Sequence, residues 1–146
     1  MGFMVQGKQI SYSGPHIMLD CFGCSKEKLS DSALIYNSLD TFPEKIGMEK
    51  IMEPYVFKYT LNSADDWGIT GIVLIADSHI VIHTFPEKNH AFIDMFSSKD
   101  FDSDFAVSYI KTLFDAKEIE IQVASRGADF PQSKKLSEID VPVLAN

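Results

Sequence analysis

The sequence lacks the features that mark membrane-spanning, secreted and nucleic-acid-binding proteins. No uninterrupted apolar stretch approaches the roughly 20 residues that a membrane-spanning helix needs. Residues 1–12 contain no charged segment followed by an apolar core, so a signal peptide is not expected. Lysine and arginine together number 13 against 21 acidic residues, and the net charge of −8 disfavours binding to nucleic acids or anionic membranes. We therefore expect a cytoplasmic protein with neither a nucleic-acid nor a membrane partner.

Cysteine is also scarce. The two cysteines, Cys21 and Cys24, form a C-x-x-C arrangement that occurs in redox centres and in halves of zinc sites. No second C-x-x-C pair and no paired histidines complete a tetrahedral zinc site. We interpret both side chains as reduced thiols at the end of a strand, and we predict no metal site.

The chain of 146 residues is long enough to bury one hydrophobic core without disulfides or metals. Its hydrophobic content of 45% and charged content of 23% are ordinary for a globular domain. Hydrophobic periodicity fades towards the C-terminus. We therefore predict a single domain over residues 1–130 and a C-terminal tail over residues 131–146.

Apolar or alternating segments predict β-strands, and two segments with apolar residues at helical spacing predict helices. The first helix is expected to begin at Ser25 or Ser30, and the second at Asp102 or Ser103. The continuous apolar run at residues 71–76 is typical of a strand that is buried on both faces. The strands are expected at residues 8–22 (with a turn at 14–15), 54–61, 71–76, 80–84, 91–96 and 118–124.

Short connections between these strands imply antiparallel pairing, and the two helices can cover one face of the sheet. The predicted fold class is α/β in the α+β sense, a two-layer sandwich of a mainly antiparallel sheet with two helices on one face. The other face of the sheet then needs a cover. A second copy of the chain is the simplest candidate, so we expect a homodimer or a higher homo-oligomer.

The densest group of reactive side chains is the segment from Asp77 to Glu87, with the sequence DSHIVIHTFPE. It offers a nucleophile, Ser78, and two possible bases, His79 and His83, between the two carboxylates at its ends. The segment directly follows the apolar run predicted as a buried strand. Polar side chains are costly in such a place unless they are paired or in use. This segment is therefore the candidate functional site.

Physical chemistry alone leaves three readings of the segment open. A Ser–His–Asp hydrolase is disfavoured because no G-x-S-x-G sequence surrounds Ser78. A metal site of His79 and His83 is disfavoured because four residues of a strand span about 13 Å. The third reading makes both histidines ordinary strand residues that form hydrogen bonds.

The same segment resembles the signature of the prokaryotic S-adenosylmethionine decarboxylase proenzyme family, whose members are pyruvoyl-dependent. The similar runs are residues 68–71, 77–87 and 93–96, with S-H-x-x-x-H-T-x-P-E as the most specific element. The sequence PHIMLDCFGC, which contains His16 and Asp20, resembles the first strand of that family. The similarity covers most of the chain.

The resemblance implies self-cleavage between Asp77 and Ser78, giving a β chain of residues 1–77 and an α chain of residues 78–146. Ser78 would become a pyruvoyl group that forms a Schiff base with the amine of the substrate. That group accepts the electrons released when carbon dioxide leaves. The resemblance further implies that His83 removes the α-proton during cleavage and that the Thr70 hydroxyl steadies the tetrahedral intermediate.

Glu87 matches the family glutamate that binds the ribose hydroxyls of S-adenosylmethionine, and Asp20 is placed to reach the site. His16 and His79 also match the motif, and we assign them structural hydrogen bonds. Two positions depart from the family. Ser98 stands where the family has the cysteine that reprotonates the α-carbon, and a serine hydroxyl is a much weaker acid. Ala64 stands where an aromatic side chain often stacks on adenine, and the nearby Trp67 is a possible substitute.

We therefore predict decarboxylation of S-adenosylmethionine for spermidine synthesis. The alternatives are a pyruvoyl-dependent L-ornithine or L-arginine decarboxylase of the same family, and an unprocessed or non-catalytic homologue. One geometric question remains open: Ser78 and His83 are five residues apart, so a regular strand would point them to opposite faces. Either the chain bends or bulges near Ser78, or the serine lies in a turn.

Overall fold

The computed structural model describes residues 14–126, together with the backbone of residues 3–5 and 8–10. The two short N-terminal segments, β1 (Phe3–Val5) and β2 (Lys8–Ile10), pair antiparallel with each other. The remaining strands are β3 (Gly14–Phe22), β4 (Tyr55–Thr60), β5 (Trp67–Ile75), β6 (Ser78–Phe85), β7 (His90–Phe96) and β8 (Glu118–Arg126). The helices are α1 (Lys26–Leu29), α2 (Ser32–Lys45) and α3 (Ser103–Phe114), and a 3-10 turn spans Pro86–Lys88.

Strands β3 to β8 form one six-stranded sheet in the order β4-β5-β6-β7-β3-β8, and every neighbouring pair is antiparallel. The predicted hairpin is present as β6 and β7, with Ile82 opposite Ile93. Both long helices contribute apolar side chains to a core that also contains one face of the sheet, for example Phe42 from α2 and Phe114 from α3. The predicted fold class is confirmed.

The N-terminal helical region is divided in a way that the sequence did not predict. Ser25 caps α1 by accepting a hydrogen bond from the backbone N–H of Lys28, and Ser30 ends that helix. Asp31 then caps the separate helix α2 through the N–H of Leu34. The prediction of one helix starting at Ser25 or Ser30 was therefore wrong, because two carboxylate or hydroxyl caps lie six residues apart and each starts its own helix. The predicted start of α3 at Asp102 is confirmed.

Strand β5 corrects the prediction that residues 71–76 are buried on both faces. Its side chains alternate: Ile69, Val73 and Ile75 are buried in the core, whereas Leu74 is 38% exposed. The reason is that the helices lie on one face of the sheet, so the opposite face, here called the open face, has no cover within the described part of the chain. Alternation along the strands places His83 on this open face, and Phe92 there is 41% exposed.

One prediction concerns residues outside this description. The division into a domain over 1–130 and a tail over 131–146 depends on residues beyond 126, which lie outside the described residues. Among the described helices, none is long and apolar enough to cross a membrane.

Candidate active site

The predicted cleavage point lies in the tight turn between β5 and β6. Two residues, Ala76 and Asp77, make the turn, and Ile75 pairs with Ser78 across it. Ala76 has a φ of 46°, in the left-handed region that side chains other than glycine rarely adopt. The register then continues residue by residue to Thr70 opposite His83. Ser78 is therefore the first residue of a regular strand, immediately after a strained turn. Neither arrangement that the sequence left open, a bulge near Ser78 or a serine within the turn, is found.

A cavity of about 320 Å³ surrounds this turn. Its floor contains Ala76, Asp77 and Ser78. Residues 46–49, which connect α2 to β4, form one wall, and residues 97–100, which connect β7 to α3, form another. The bond between Asp77 and Ser78 is thus accessible from a pocket rather than enclosed in the core.

Ser98 holds both residues of that bond, and we refer to Asp77, Ser78 and Ser98 as the cleavage group. The backbone N–H of Ser98 donates to Ser78 Oγ at 3.1 Å, and Ser78 Oγ donates to Asp77 Oδ1 at 3.5 Å. Ser78 is only 5% exposed. The hydrogen bond from the Ser98 hydroxyl is the main reason that the pKa of the Asp77 carboxyl lies below its usual value, and the charge of Lys99 lowers it further.

Gly14 allows the segment that carries Ser98 to lie close to β3. Its φ is +151°, and a Cβ atom at this position would lie 1.9 Å from the carbonyl oxygen of Ser97. The N–H of Ser97 donates to the carbonyl of Pro15 at 3.2 Å. The side chain at position 14 must therefore be absent for Ser97 and Ser98 to occupy their observed places.

A second group lies on the open face. Thr70 Oγ1 and His83 Nδ1 are 3.0 Å apart, and we call these two residues the open-face pair. A cavity of about 290 Å³ adjoins His83 and is lined by the carboxylates of Asp20, Asp94 and Glu120. Asp20 and His83 thus line the same cavity, whereas the presence of Asp94 and Glu120 there was not predicted. Alternating acids on β3, β7 and β8 could have suggested it, had the strand order been known.

A third group lies beyond the C-terminal end of β6, and we call Glu87, Trp67 and Lys26 the carboxylate group. Trp67 Nε1 donates to Glu87 Oε1 at 3.2 Å, and Lys26 Nζ donates to Oε2 at 2.9 Å. These two bonds, that of Lys26 first, lower the pKa of the Glu87 carboxyl. Lys58 lies 4.6 Å from the centre of the Trp67 ring. Sequence reasoning missed Lys26, which is 61 residues from its partner and carries no motif.

One chain does not bring these three groups together. The side chains of Ser78 and His83 lie on opposite faces of the sheet, and their Cα atoms are about 17 Å apart along a strand. The whole of β6 is about 24 Å long, and Glu87 lies past its far end. The cleavage group is therefore separate from both the open-face pair and the carboxylate group within a single chain.

The assignment of structural hydrogen bonds to His16 and His79 needs correction for His16. Among the described residues, no hydrogen-bond partner reaches the buried Nε2 of His16. Its ring instead lies 6.4 Å from that of His79 and 5.9 Å from that of Phe96, both edge to face. Burial is the main cause that lowers the pKa of His79. Edge-to-face ring contacts are what the structure shows around His16.

The two cysteines are free and buried, at the end of β3 and just beyond it. In the part of the chain that the structure describes, no group of three or more histidine, cysteine, aspartate or glutamate side chains could hold a metal ion. The spacing of His79 and His83 on the regular strand β6 agrees with this finding.

Comparisons with known proteins agree with the motif. The family model described as S-adenosylmethionine decarboxylase matches residues 15–127. The S-adenosylmethionine decarboxylase proenzyme of Clostridium botulinum strain Langeland is 32% identical over 119 residues, which are 81% of this chain and 97% of the relative. That of Pyrococcus furiosus is 31% identical over 117 residues, 80% of each chain.

A solved structure is similar as well. The adenosylmethionine decarboxylase of Aquifex aeolicus VF5 superimposes with a TM-score of 0.65 at 30% identity, covering 83% of this chain and 96% of the other. The fold, the family model and the identity to relatives along most of their length point the same way. The chain belongs to the S-adenosylmethionine decarboxylase family.

Proposed function

We propose that this chain is a self-processing proenzyme that becomes an S-adenosylmethionine decarboxylase and supplies the aminopropyl donor for spermidine synthesis. The observation that carries the proposal is the cleavage group: the Ser78 hydroxyl, held by the N–H of Ser98, lies next to a turn strained at Ala76. A weak serine nucleophile needs such placement and strain to attack a peptide carbonyl.

In the proposed cleavage, Ser78 Oγ attacks the carbonyl carbon of Asp77 and the peptide bond becomes an ester. Loss of the Ser78 α-proton then expels the Asp77 carboxylate, which becomes the new C-terminus of the 1–77 chain, and leaves dehydroalanine at position 78. Water hydrolyses the imine tautomer of dehydroalanine, which releases ammonia and leaves a pyruvoyl group at the start of the 78–146 chain. The cavity of about 320 Å³ around Ser78 offers room for that group and for the amine of a substrate. When present, the pyruvoyl group supplies the electron sink that decarboxylation requires.

The separation of the three groups favours a homodimer as the catalytic unit. A substrate bound to one chain could not reach both Ser78 and Glu87, because they lie at opposite ends of the strand β6. A two-fold axis perpendicular to β6 makes the β6 strands of two copies run in opposite directions. It would therefore place the C-terminal end of β6 in one copy, near Glu87, against the N-terminal end in the other copy, at Ser78. The open face suits such an interface because it exposes Tyr55, Phe57 and Phe92.

In this arrangement the open-face pair and the carboxylate group act on the partner's Ser78 and on its substrate. The Thr70 hydroxyl bonded to His83 Nδ1 fixes the orientation of the imidazole and leaves Nε2 available to accept the α-proton. The Glu87 carboxylate accepts hydrogen bonds from the ribose hydroxyls, while the indole N–H of Trp67 orients it. Asp20 adds negative charge beside His83.

The proposal is tested by the intact mass of purified protein, with a Ser78→Ala variant beside it. We expect the wild type to separate into chains of residues 1–77 and 78–146, the latter with a blocked N-terminus, and the variant to remain at 16.4 kDa. Release of carbon dioxide from S-adenosylmethionine then tests the substrate. A folded wild type that stays whole would instead make this chain an unprocessed homologue.

A second candidate substrate class follows from the cavity beside His83. Its three carboxylates, Asp20, Asp94 and Glu120, suit a cationic side chain such as that of L-ornithine or L-arginine. The same assay decides between the candidates, because carbon dioxide is released from the preferred amino acid. Faster release from L-ornithine or L-arginine than from S-adenosylmethionine would establish the second candidate in place of the first.

A further inference from the structure

Self-cleavage needs a group that accepts the proton of the Ser78 hydroxyl, and no role assigned so far provides it. In the same chain the imidazole of His83 lies on the other face of the sheet, about 17 Å along the strand, and the partner's His83 is already assigned to the α-proton. The two hydrogen-bond partners of Ser78 Oγ have opposite capacities. The N–H of Ser98 can only donate, whereas the Asp77 carboxylate, with Oδ1 at 3.5 Å, can only accept.

We infer that the carboxylate of Asp77 is the general base of its own cleavage: it takes the proton of the Ser78 hydroxyl as that oxygen attacks the carbonyl of Asp77. This inference rests on the proposed function. The Ser78 Oγ–H bond breaks and its proton moves to Asp77 Oδ, while Oγ forms a bond to the Asp77 carbonyl carbon. The carbon–nitrogen bond then breaks, and the same proton passes to the Ser78 nitrogen, which leaves an ester and a free amine.

Ser98 is placed to keep this carboxylate in position. Its backbone N–H donates to Ser78 Oγ, and its hydroxyl is the main cause that lowers the pKa of the Asp77 carboxyl. Ser98 thus acts on both residues of the bond to be cut. Ser98 and Lys99 also favour the ionised carboxylate, so the base is ready at neutral pH. A serine hydroxyl is a better hydrogen-bond donor than the cysteine thiol that the family resemblance leads one to expect here.

The cavity contains a rival base. Glu49 lines the same space as Ser78, from the connection between α2 and β4. Ser78 Oγ makes its hydrogen bonds with Ser98 and Asp77 and not with Glu49, in the part of the chain that the structure describes. Geometry therefore favours Asp77, and substitution of each carboxylate by its amide separates the two.

The experiment follows cleavage of the full chain during cell-free synthesis, with intact mass read at successive times. Four chains are compared: wild type, Asp77→Asn, Asp77→Glu and Glu49→Gln. General bases contribute about 100-fold or more to rate, so we expect Asp77→Asn to be cut about 100-fold more slowly. Asp77→Glu should recover most of that loss, and Glu49→Gln should be cut like the wild type. Unfolding temperatures beside that of Ser78→Ala verify folding.

Treatment with hydroxylamine shows which step is blocked in each variant, because hydroxylamine cuts esters but not the peptide bond between residues 77 and 78. A variant blocked before the ester forms, as expected for Asp77→Asn, gives no hydroxylamine-dependent fragments. A variant blocked at α-proton removal, as expected for His83→Ala, accumulates the ester and is cut. Three outcomes would each overturn the inference. Asp77→Asn could be cut at the wild-type rate, Asp77→Asn could accumulate the ester, or cleavage could be slow in Glu49→Gln alone. An uncut wild type would instead overturn the proposed function itself.

Discussion

At its N-terminal end β6 carries Ser78, a buried residue held by a backbone N–H that lies 20 residues further along the chain. Beyond its C-terminal end, Glu87 is held on the surface by the side chains of Lys26 and Trp67. Backbone contacts and a strained turn fix the first end, whereas contacts between partly exposed side chains hold the second. The difference matches two tasks. Self-cleavage is an intramolecular reaction that must be prepared by folding, whereas substrate capture needs groups that can exchange partners.

The same comparison supports the proposed dimer. The end that carries Ser78 is about 17 Å along the strand from His83 of the same chain, and the end that carries Glu87 is remote from any group formed at Ser78 of the same chain. Each end therefore lacks what the other provides. Two copies that run in opposite directions would complete two equivalent sites, which is the outcome expected of an isologous dimer.

The largest effect is expected when Ser78→Ala and His83→Ala are carried by different chains of one dimer. Ser78→Ala alone should stay whole, and His83→Ala alone should stop at the ester. When both are synthesised together, the His83→Ala chain should be completed in the mixed dimer, because its partner supplies an intact open-face pair. Intact mass of the mixture measures this, and a size-tagged chain identifies which copy was cut. If mixing gives no processed chain, His83 acts within its own chain and the two-fold arrangement is wrong.

How far the sequence predicts this molecule depends on whether the signal is local. The hairpin of β6 and β7 was predictable because alternation and a Pro-containing turn lie within about twenty residues. The separation of α1 from α2 was not, because Ser25, Ser30 and Asp31 are all acceptable caps and only packing selects among them. The bond between Lys26 and Glu87 joins segments that only the folded sheet brings together.

The site shows the same division. The motif pointed to Ser78, Thr70 and His83 as candidate positions, since their spacing is local to one hairpin. It could not show that the side chains face opposite ways, because that depends on the register through the turn. Nor could it indicate the strain at Ala76, since alanine is not a residue that signals a left-handed turn.

Ser98→Cys sharpens the comparison by changing the two reactions in opposite directions. A thiol, with a pKa near 8.5, is a much stronger acid than a hydroxyl, so reprotonation after decarboxylation should be faster by about tenfold or more. The thiol donates more weakly to the Asp77 carboxylate, so self-cleavage should slow severalfold. Carbon dioxide release per processed site measures the first, and the time course of intact mass measures the second. A change in only one of the two rates would show that Ser98 serves one step only.

Glu87→Gln addresses the other end of β6. The amide keeps the size of the side chain but loses the charge that strengthens hydrogen bonds to hydroxyls, so KM for S-adenosylmethionine should rise about tenfold. Self-cleavage should proceed at the wild-type rate, because the proposed role of Glu87 is to bind the ribose of the substrate and none of the proposed cleavage steps uses its carboxylate. Lys26→Gln is the matched control: it removes the ion pair but keeps the carboxylate, and its effect on KM should be smaller. A rise in KM that is equal for both variants would assign the effect to the ion pair rather than to ribose binding.

Ala76→Gly has the smallest expected effect and tests whether the strain at the N-terminal end of β6 is used. Glycine adopts the φ of 46° without the penalty of a side chain, which is about 1 kcal/mol. In the uncut Ser78→Ala background, chemical denaturation should therefore show a gain in stability of about that size. In the otherwise wild-type chain, cleavage should slow about fivefold, because less of the strain in the turn remains to be released. If strain in the turn contributes to cleavage, the stability should rise while the cleavage rate falls. A gain in stability with unchanged cleavage would mean that the turn only places Ser78 and contributes no energy to its attack.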